Sequence, residues 1–135
     1  MSKIPTALIA FHSTMGEDLS KSFTRRGYSV TCVSTLENML KSMSISEIDG
    51  KPSIVYELYI MDTNLGFSNE ATCEPAARIY RLIEDDVKKG KVKFMSFTAN
   101  AYAQRLAERA GIPVLDKLDF TGMLAFYESI PGTIK

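Results

Sequence analysis

Apolar residues along this chain recur in two rhythms. Short runs without polar interruption mark strands buried on both faces, and apolar residues spaced by three or four mark helices with one covered side. Residues 6–11 (TALIAF) form the first run, and Met15, Leu19 and Phe23 the first helical stripe. Gly27 after Arg25 and Arg26 predicts a helix stop with cations beside the negative end of the dipole. A second strand is predicted over residues 28–33, where β-formers alternate with smaller polar residues. Leu36, Met39, Leu40 and Met43 form the second helical stripe, with Ser34 or Thr35 as its N-cap. Asp49-Gly50 and Lys51-Pro52 then break the pattern.

Strand signals return at Ile54-Val55-Tyr56 and again at Leu58-Tyr59-Ile60-Met61, ending on Asp62. A polar, glycine-containing stretch from Thr63 to Glu74 leads to Pro75, a residue suited to the first turn of a helix. Ala76, Ile79, Tyr80, Ile83 and Val87 supply the buried face of that helix, and Gly90 ends it. The fourth strand is predicted over residues 92–97, stopping at Thr98. Ala103, Leu106, Ala107 and Ala110 line a fourth helix, closed by Gly111. Residues 112–115 (IPVL) form a short fifth strand whose proline places it at an edge. Asp119 caps a last helix carrying Met123, Leu124 and Tyr127.

Strand and helix thus alternate through the chain, which implies an α/β fold with a parallel sheet, because parallel neighbours need crossover connections. Right-handed crossovers favour a doubly wound sheet. The length of 135 residues suits one compact domain spanning 1–135, and no linker or repeat interrupts it. Composition refines this only slightly. Sixteen basic residues balance sixteen acidic ones, so no net field favours nucleic acid or an anionic membrane. No apolar run approaches the roughly 20 residues of a bilayer span, and no signal peptide opens the chain, so a cytoplasmic location is expected. Cys32 and Cys73 form no CxxC pair and are expected as reduced thiols.

In an open parallel sheet, ligands gather beyond the carboxyl ends of the strands. The residues predicted there are His12 and Ser13, Asp62, Thr98 and Ala99, and Asp116 and Lys117. A carboxylate in such a crevice can take a phosphoryl group, a hydroxyl can bond its oxygens, and an ammonium can neutralise it. A structural Asp–Lys pair at a sheet end is the competing interpretation. His12, the chain's one histidine, ends a strand as an ordinary polar residue, or serves as a weak metal ligand or proton-sensitive group beside Asp62.

Three segments, in order, resemble the receiver domains of response regulators. Residues 60–65 (IMDTNL) resemble the segment carrying that family's phosphoacceptor, residues 94–99 (FMSFTA) the strand ending in its Thr/Ser-Ala pair, and residues 114–117 (VLDK) the strand leading to its lysine. The resemblance covers nearly the whole chain. It implies a flavodoxin-like (βα)5 fold with strand order 2-1-3-4-5. It further implies Asp62 as phosphoacceptor, Thr98, Ala99 and Lys117 as phosphate contacts, and Asn64 and Asn100 as residues tuning phosphate lifetime. The face of the fourth helix, fifth strand and fifth helix, used by receivers for docking, carries Tyr102, Arg105, Arg109, Phe126 and Tyr127.

The departures are equally specific. Phe11 and His12 stand where the family carries two acidic residues that, with the phosphoacceptor, bind Mg²⁺. Magnesium takes oxygen ligands in octahedral geometry, and a phenyl ring offers none. Asp62 alone is a weak metal ligand, Glu17 and Asp18 lie a helical turn away, and no cofactor is expected. Leu118 replaces the family's common proline after the lysine, and Val114 stands where many members place a switching aromatic. The expected function is therefore that of an atypical stand-alone receiver, not an enzyme, acting in signal transduction by protein–protein interaction. Its partner would be another signalling protein, with homodimerisation left open. The alternative is a phospho-accepting single-domain regulator supplied by a histidine kinase or phosphotransfer protein. A flavodoxin-like ligand binder is a third reading, although no phosphate-cradling glycine motif appears.

Overall fold

The computed structural model describes residues 4–66 and 71–130. Its elements are β1 (Thr6–Ala10), α1 (Met15–Arg25), β2 (Ser29–Val33), α2 (Leu36–Ser42), β3 (Leu58–Asp62), α3 (Glu74–Lys88), β4 (Lys93–Thr98), α4 (Ala101–Arg109), β5 (Val114–Asp116) and α5 (Phe120–Ser129). The strands form one five-stranded sheet in the order β2-β1-β3-β4-β5, every pairing parallel. This is the doubly wound order that the resemblance implied.

Period-two alternation in the central strands divides the core between the two faces. Leu8, Ala10, Tyr59 and Met61 point to one side, where they meet Met39 and Met43, Ile79 and Ile83 of α3, and Ala107 of α4. Ala7, Ile9, Leu58 and Ile60 point to the other, packing with Phe11, Phe23 of α1 and, more loosely, Met123 and Phe126 of α5. Helix α2 has only seven residues, too few to persist on propensity. It is held by the fully buried Met39 and the Thr35 hydroxyl, which caps it by accepting from Asn38 N at 3.1 Å. Such a buried side chain contributes about 1.5–3 kcal/mol, and the cap about 1 kcal/mol.

Several local expectations need correction. Ile54-Val55-Tyr56 is not a strand. Ser53 N and Ile54 N donate to the carbonyls of Ser44 and Met43, and Tyr56 N donates to the Tyr59 hydroxyl at 3.0 Å. With Ile54 N turned back to the end of α2 and Tyr56 N taken by a side chain, these donors join no ladder. Strand β5 begins at Val114, beyond Pro113, whose carbonyl instead accepts from Ser96 N. Ala110 and Leu124 were expected on buried faces and are exposed. Of the polar loop before α3, residues 67–70 lie outside the described residues.

Candidate functional site

The parallel register sets the site. Ala10 pairs with Met61 and Thr98 with Asp116, so β1, β3, β4 and β5 all end at one edge of the sheet. Three backbone bonds continue the alignment past the strands: Thr63 N donates to Phe97 O, Lys117 N to Thr98 O and Phe11 N to Val33 O. Asp62, Thr98 and Lys117 are thereby brought together by backbone geometry before any side chain contributes.

Asp62 is fully buried, an expensive position for a carboxylate unless cations and donors surround it. Lys117 Nζ lies 2.6 Å from Oδ1. This is a close charge contact outside hydrogen-bond alignment, and Coulomb attraction does not need that alignment. His12 Nδ1 lies 2.7 Å from Oδ2, and the His12 backbone N–H donates to the same oxygen at 3.0 Å. Both carboxylate oxygens are thus engaged. The Lys117 ammonium also sits 5.7 Å from the centre of the Phe11 ring, within range of a cation–π contact.

Phe11, next to His12 at this edge, turns inward. Its ring is 2% exposed and meets Phe97 edge-on at 6.3 Å between centroids. Helix α1 approaches so closely that a Cβ on Gly16 would come within 3.3 Å of the Phe11 Cβ. The position is core. A divalent metal fits poorly here, because the described residues contain no cluster of three acidic, histidine or cysteine ligands, and Asp62 already faces two basic groups.

Above Asp62 opens a polar cleft of about 320 Å³ lined by His12, Asn64, Thr98, Ala99, Asn100 and Lys117. All the residues expected to contact or tune a phosphate therefore border one space, except Asp62 itself, which is fully buried and touches two of the lining residues, His12 and Lys117. Two have further duties. Thr98 Oγ1 accepts from Asn100 N at 3.0 Å, and the Asn100 side-chain oxygen caps α4 by accepting from Tyr102 N and Ala103 N at 2.9 Å. The thiols stand apart from this chemistry: both cysteines are free, and burial pushes the Cys73 thiol above its usual range.

The expected docking face divides. Tyr102, Arg105 and Arg109 are exposed, the Arg105 guanidinium lying 5.8 Å from the Tyr102 ring centre. Phe126 and Tyr127 belong instead to packing against the sheet and α1. Phe126 meets Phe97 edge-on, and Tyr127 lies against Phe23, shares a hydrogen bond with Ser22 and carries the Arg26 guanidinium 4.3 Å over its ring. Sequence reasoning missed Leu118, Phe120 and Leu124, which are 75%, 71% and 58% exposed. The available signal was the composition of α5, apolar around most of its circumference and so unable to bury every side against one sheet. It also left open the partner of His12, whose position beside Asp62 follows from the β1–β3 register.

No protein-family model and no curated protein matches the chain. Solved structures do. The non-phosphorylated HemR receiver domain from Leptospira biflexa matches with a TM-score of 0.60 at 18% identity, over 93% of this chain and 92% of that one. The signal receiver domain of an HD domain-containing protein from Pseudomonas fluorescens Pf-5 matches with a TM-score of 0.62 at 14% identity, over 94% of each chain. The chain has the receiver fold.

Proposed function

We propose that this chain is an atypical receiver domain that acts in signal transduction by protein–protein contact, with Asp62 as a fixed ionic centre instead of a metal-dependent phosphoacceptor. One observation carries the reading: the carboxylate is fully buried between Lys117 and His12, while Phe11, in the place of a metal-binding acid, is core. Phosphoryl transfer to a carboxylate develops charge that a metal ordinarily offsets. With no acidic cluster around Asp62 among the described residues, that stabilisation is weak. The domain is then a binding module and not an enzyme.

Contact chemistry is available on the α4–β5–α5 face. Tyr102, Leu118, Phe120 and Leu124 are exposed, as are Arg105 and Arg109. Aromatic and arginine side chains are frequent anchors of interfaces. The occupant is a signalling protein. The Lys117–Asp62 contact and the Thr98-lined cleft favour a second reading, a regulator phosphorylated at Asp62 by a histidine kinase or phosphotransfer protein.

Asp62→Asn separates the two, since it removes the nucleophile at nearly constant shape. Binding to signalling partners is compared by pull-down for Asp62→Asn and Arg105→Ala. The contact reading predicts that Asp62→Asn binds as the parent does and Arg105→Ala binds less. Loss of binding in Asp62→Asn with none in Arg105→Ala would favour the phosphorylated regulator.

A further inference from the structure

The most exposed large apolar side chain among the described residues has no part in the function proposed above. Ile48, 98% exposed, stands in the loop between α2 and β3, flanked by the exposed Glu47 and Asp49. The loop is tied into one shape. Ile45 and Pro52 close it with an antiparallel bridge, Ser46 N donates to Lys51 O at 2.8 Å, and Gly50 N donates to Ser46 O at 2.9 Å. At the tip, Ile48 N donates to Ser46 Oγ at 3.2 Å and Lys51 N to Asp49 Oδ1 at 3.0 Å. The second of these bonds holds the Asp49 carboxyl below its usual range. A tip already ordered loses less freedom when it docks.

The same loop forms one wall of a groove of about 610 Å³. Leu40 of α2, Ile45 and Leu82 of α3 line it with partly buried aliphatic surface, Lys41 and Arg78 stand beside them, and no described acidic residue lines it. Arg78 is exposed and makes no ion pair with another described residue. Lys41 meets Glu37 at 3.2 Å, an exposed helical pair that exchanges at little cost. Gly50 also lines the groove, so the apolar tip and the groove lie on one patch.

We propose that this patch is self-complementary, with Ile48 of each copy entering the Leu40–Ile45–Leu82 groove of a second copy of this chain while Glu47 and Asp49 face Lys41 and Arg78. A two-fold axis lets one patch supply both halves of the contact. Charge selects the occupant. A purely apolar segment would strip water from two cations without compensation, whereas the acidic flanks of Ile48 supply it. This contact stands whether or not Asp62 takes phosphate, and it uses none of the exposed residues of the α4–β5–α5 face.

Sedimentation velocity of the chain from about 10 µM to about 1 mM, the range of small interfaces, should show a monomer–dimer equilibrium that added salt weakens. Ile48→Ser should raise the dimer dissociation constant about 100-fold, a factor of about ten for each of the two isoleucines. Arg78→Glu should also weaken the dimer, and adding Glu47→Arg to the same chain should restore it by exchanging the charges across the contact. All three positions are exposed, so each variant should melt with the parent. A chain that stays monomeric throughout overturns the proposal and leaves the groove to an acidic segment of another protein. A dimer unchanged by Ile48→Ser, or one that the charge exchange does not restore, overturns it as well.

Discussion

Replacing Lys117 with Met tests whether Asp62 is held by the ammonium beside it. The substitution keeps most of the side-chain volume and removes the ammonium 2.6 Å from Oδ1. At that distance and an effective dielectric of about 20, the gross attraction is about 6 kcal/mol. The net loss is smaller, because His12 still contacts Oδ2 and water can enter from the cleft. Breaking a buried pair by removing one member costs about 3–5 kcal/mol, and the retained histidine places Lys117→Met near the low end, about 3 kcal/mol. The reverse substitution, Asp62→Asn, is milder. The Lys117 side chain is 23% exposed, so its ammonium can turn to solvent, whereas Asp62 is 0% exposed and cannot. Asp62→Asn therefore costs about 1 kcal/mol, the scale of one hydrogen bond. The double variant buries no lone charge and recovers much of the loss, with a coupling of about 2 kcal/mol. Urea unfolding of the four proteins at neutral pH reads these values from midpoints at constant slope; Lys117→Met should also melt roughly 10 °C lower. If Asp62→Asn proves the more damaging substitution, or the double variant loses the sum of the two, Asp62 is not held as described.

Mg²⁺ titration followed by NMR should leave the amides of Asp62 and Thr98 unmoved below millimolar concentrations, and saturable shifts there would reveal ligands that the edge does not display. Burial pushes the Tyr59 hydroxyl up to about 12 from its ordinary 10. The folded state keeps this proton where the unfolded state loses it, so the stabilisation is complete below pH 10 and disappears as pH rises toward 12. Tyr59→Phe should remove an alkaline loss of about 2–3 kcal/mol across that window, measured as the parent-minus-variant difference in unfolding free energy; equal alkaline slopes would refute the assignment.

Architecture was legible because the central strands β1 and β3 are buried on both sides, and such strands announce themselves as unbroken apolar runs. Thr35, Asn100 and Asp119 sit at helix starts and accept backbone N–H bonds there, chemistry visible in residue type alone. The misread segment, residues 54–56, has β-forming residues, but Ile54 N bonds back to Met43 O and Tyr56 N to the Tyr59 hydroxyl, which propensity cannot see. At the site, strand-end positions located Asp62, Thr98 and Lys117. What sequence could not supply was direction. That Phe11 turns into the core while His12 folds onto Asp62 depends on the close packing of α1 at Gly16 and on the β1–β3 register. Similarly, the apolar residues of α5 could not be sorted into covered and exposed faces without the sheet in place.

On this reading Asp62 accepts no phosphoryl group with the help of a metal. Beryllofluoride tests it most directly, since it mimics an acyl phosphate on a receiver carboxylate only where Mg²⁺ completes the site. Amide spectra recorded with beryllofluoride and Mg²⁺ should overlay those recorded with Mg²⁺ alone at Asp62, Asn64, Thr98 and Lys117. Saturable, Mg²⁺-dependent shifts at those residues, lost in Asp62→Asn, would contradict the account.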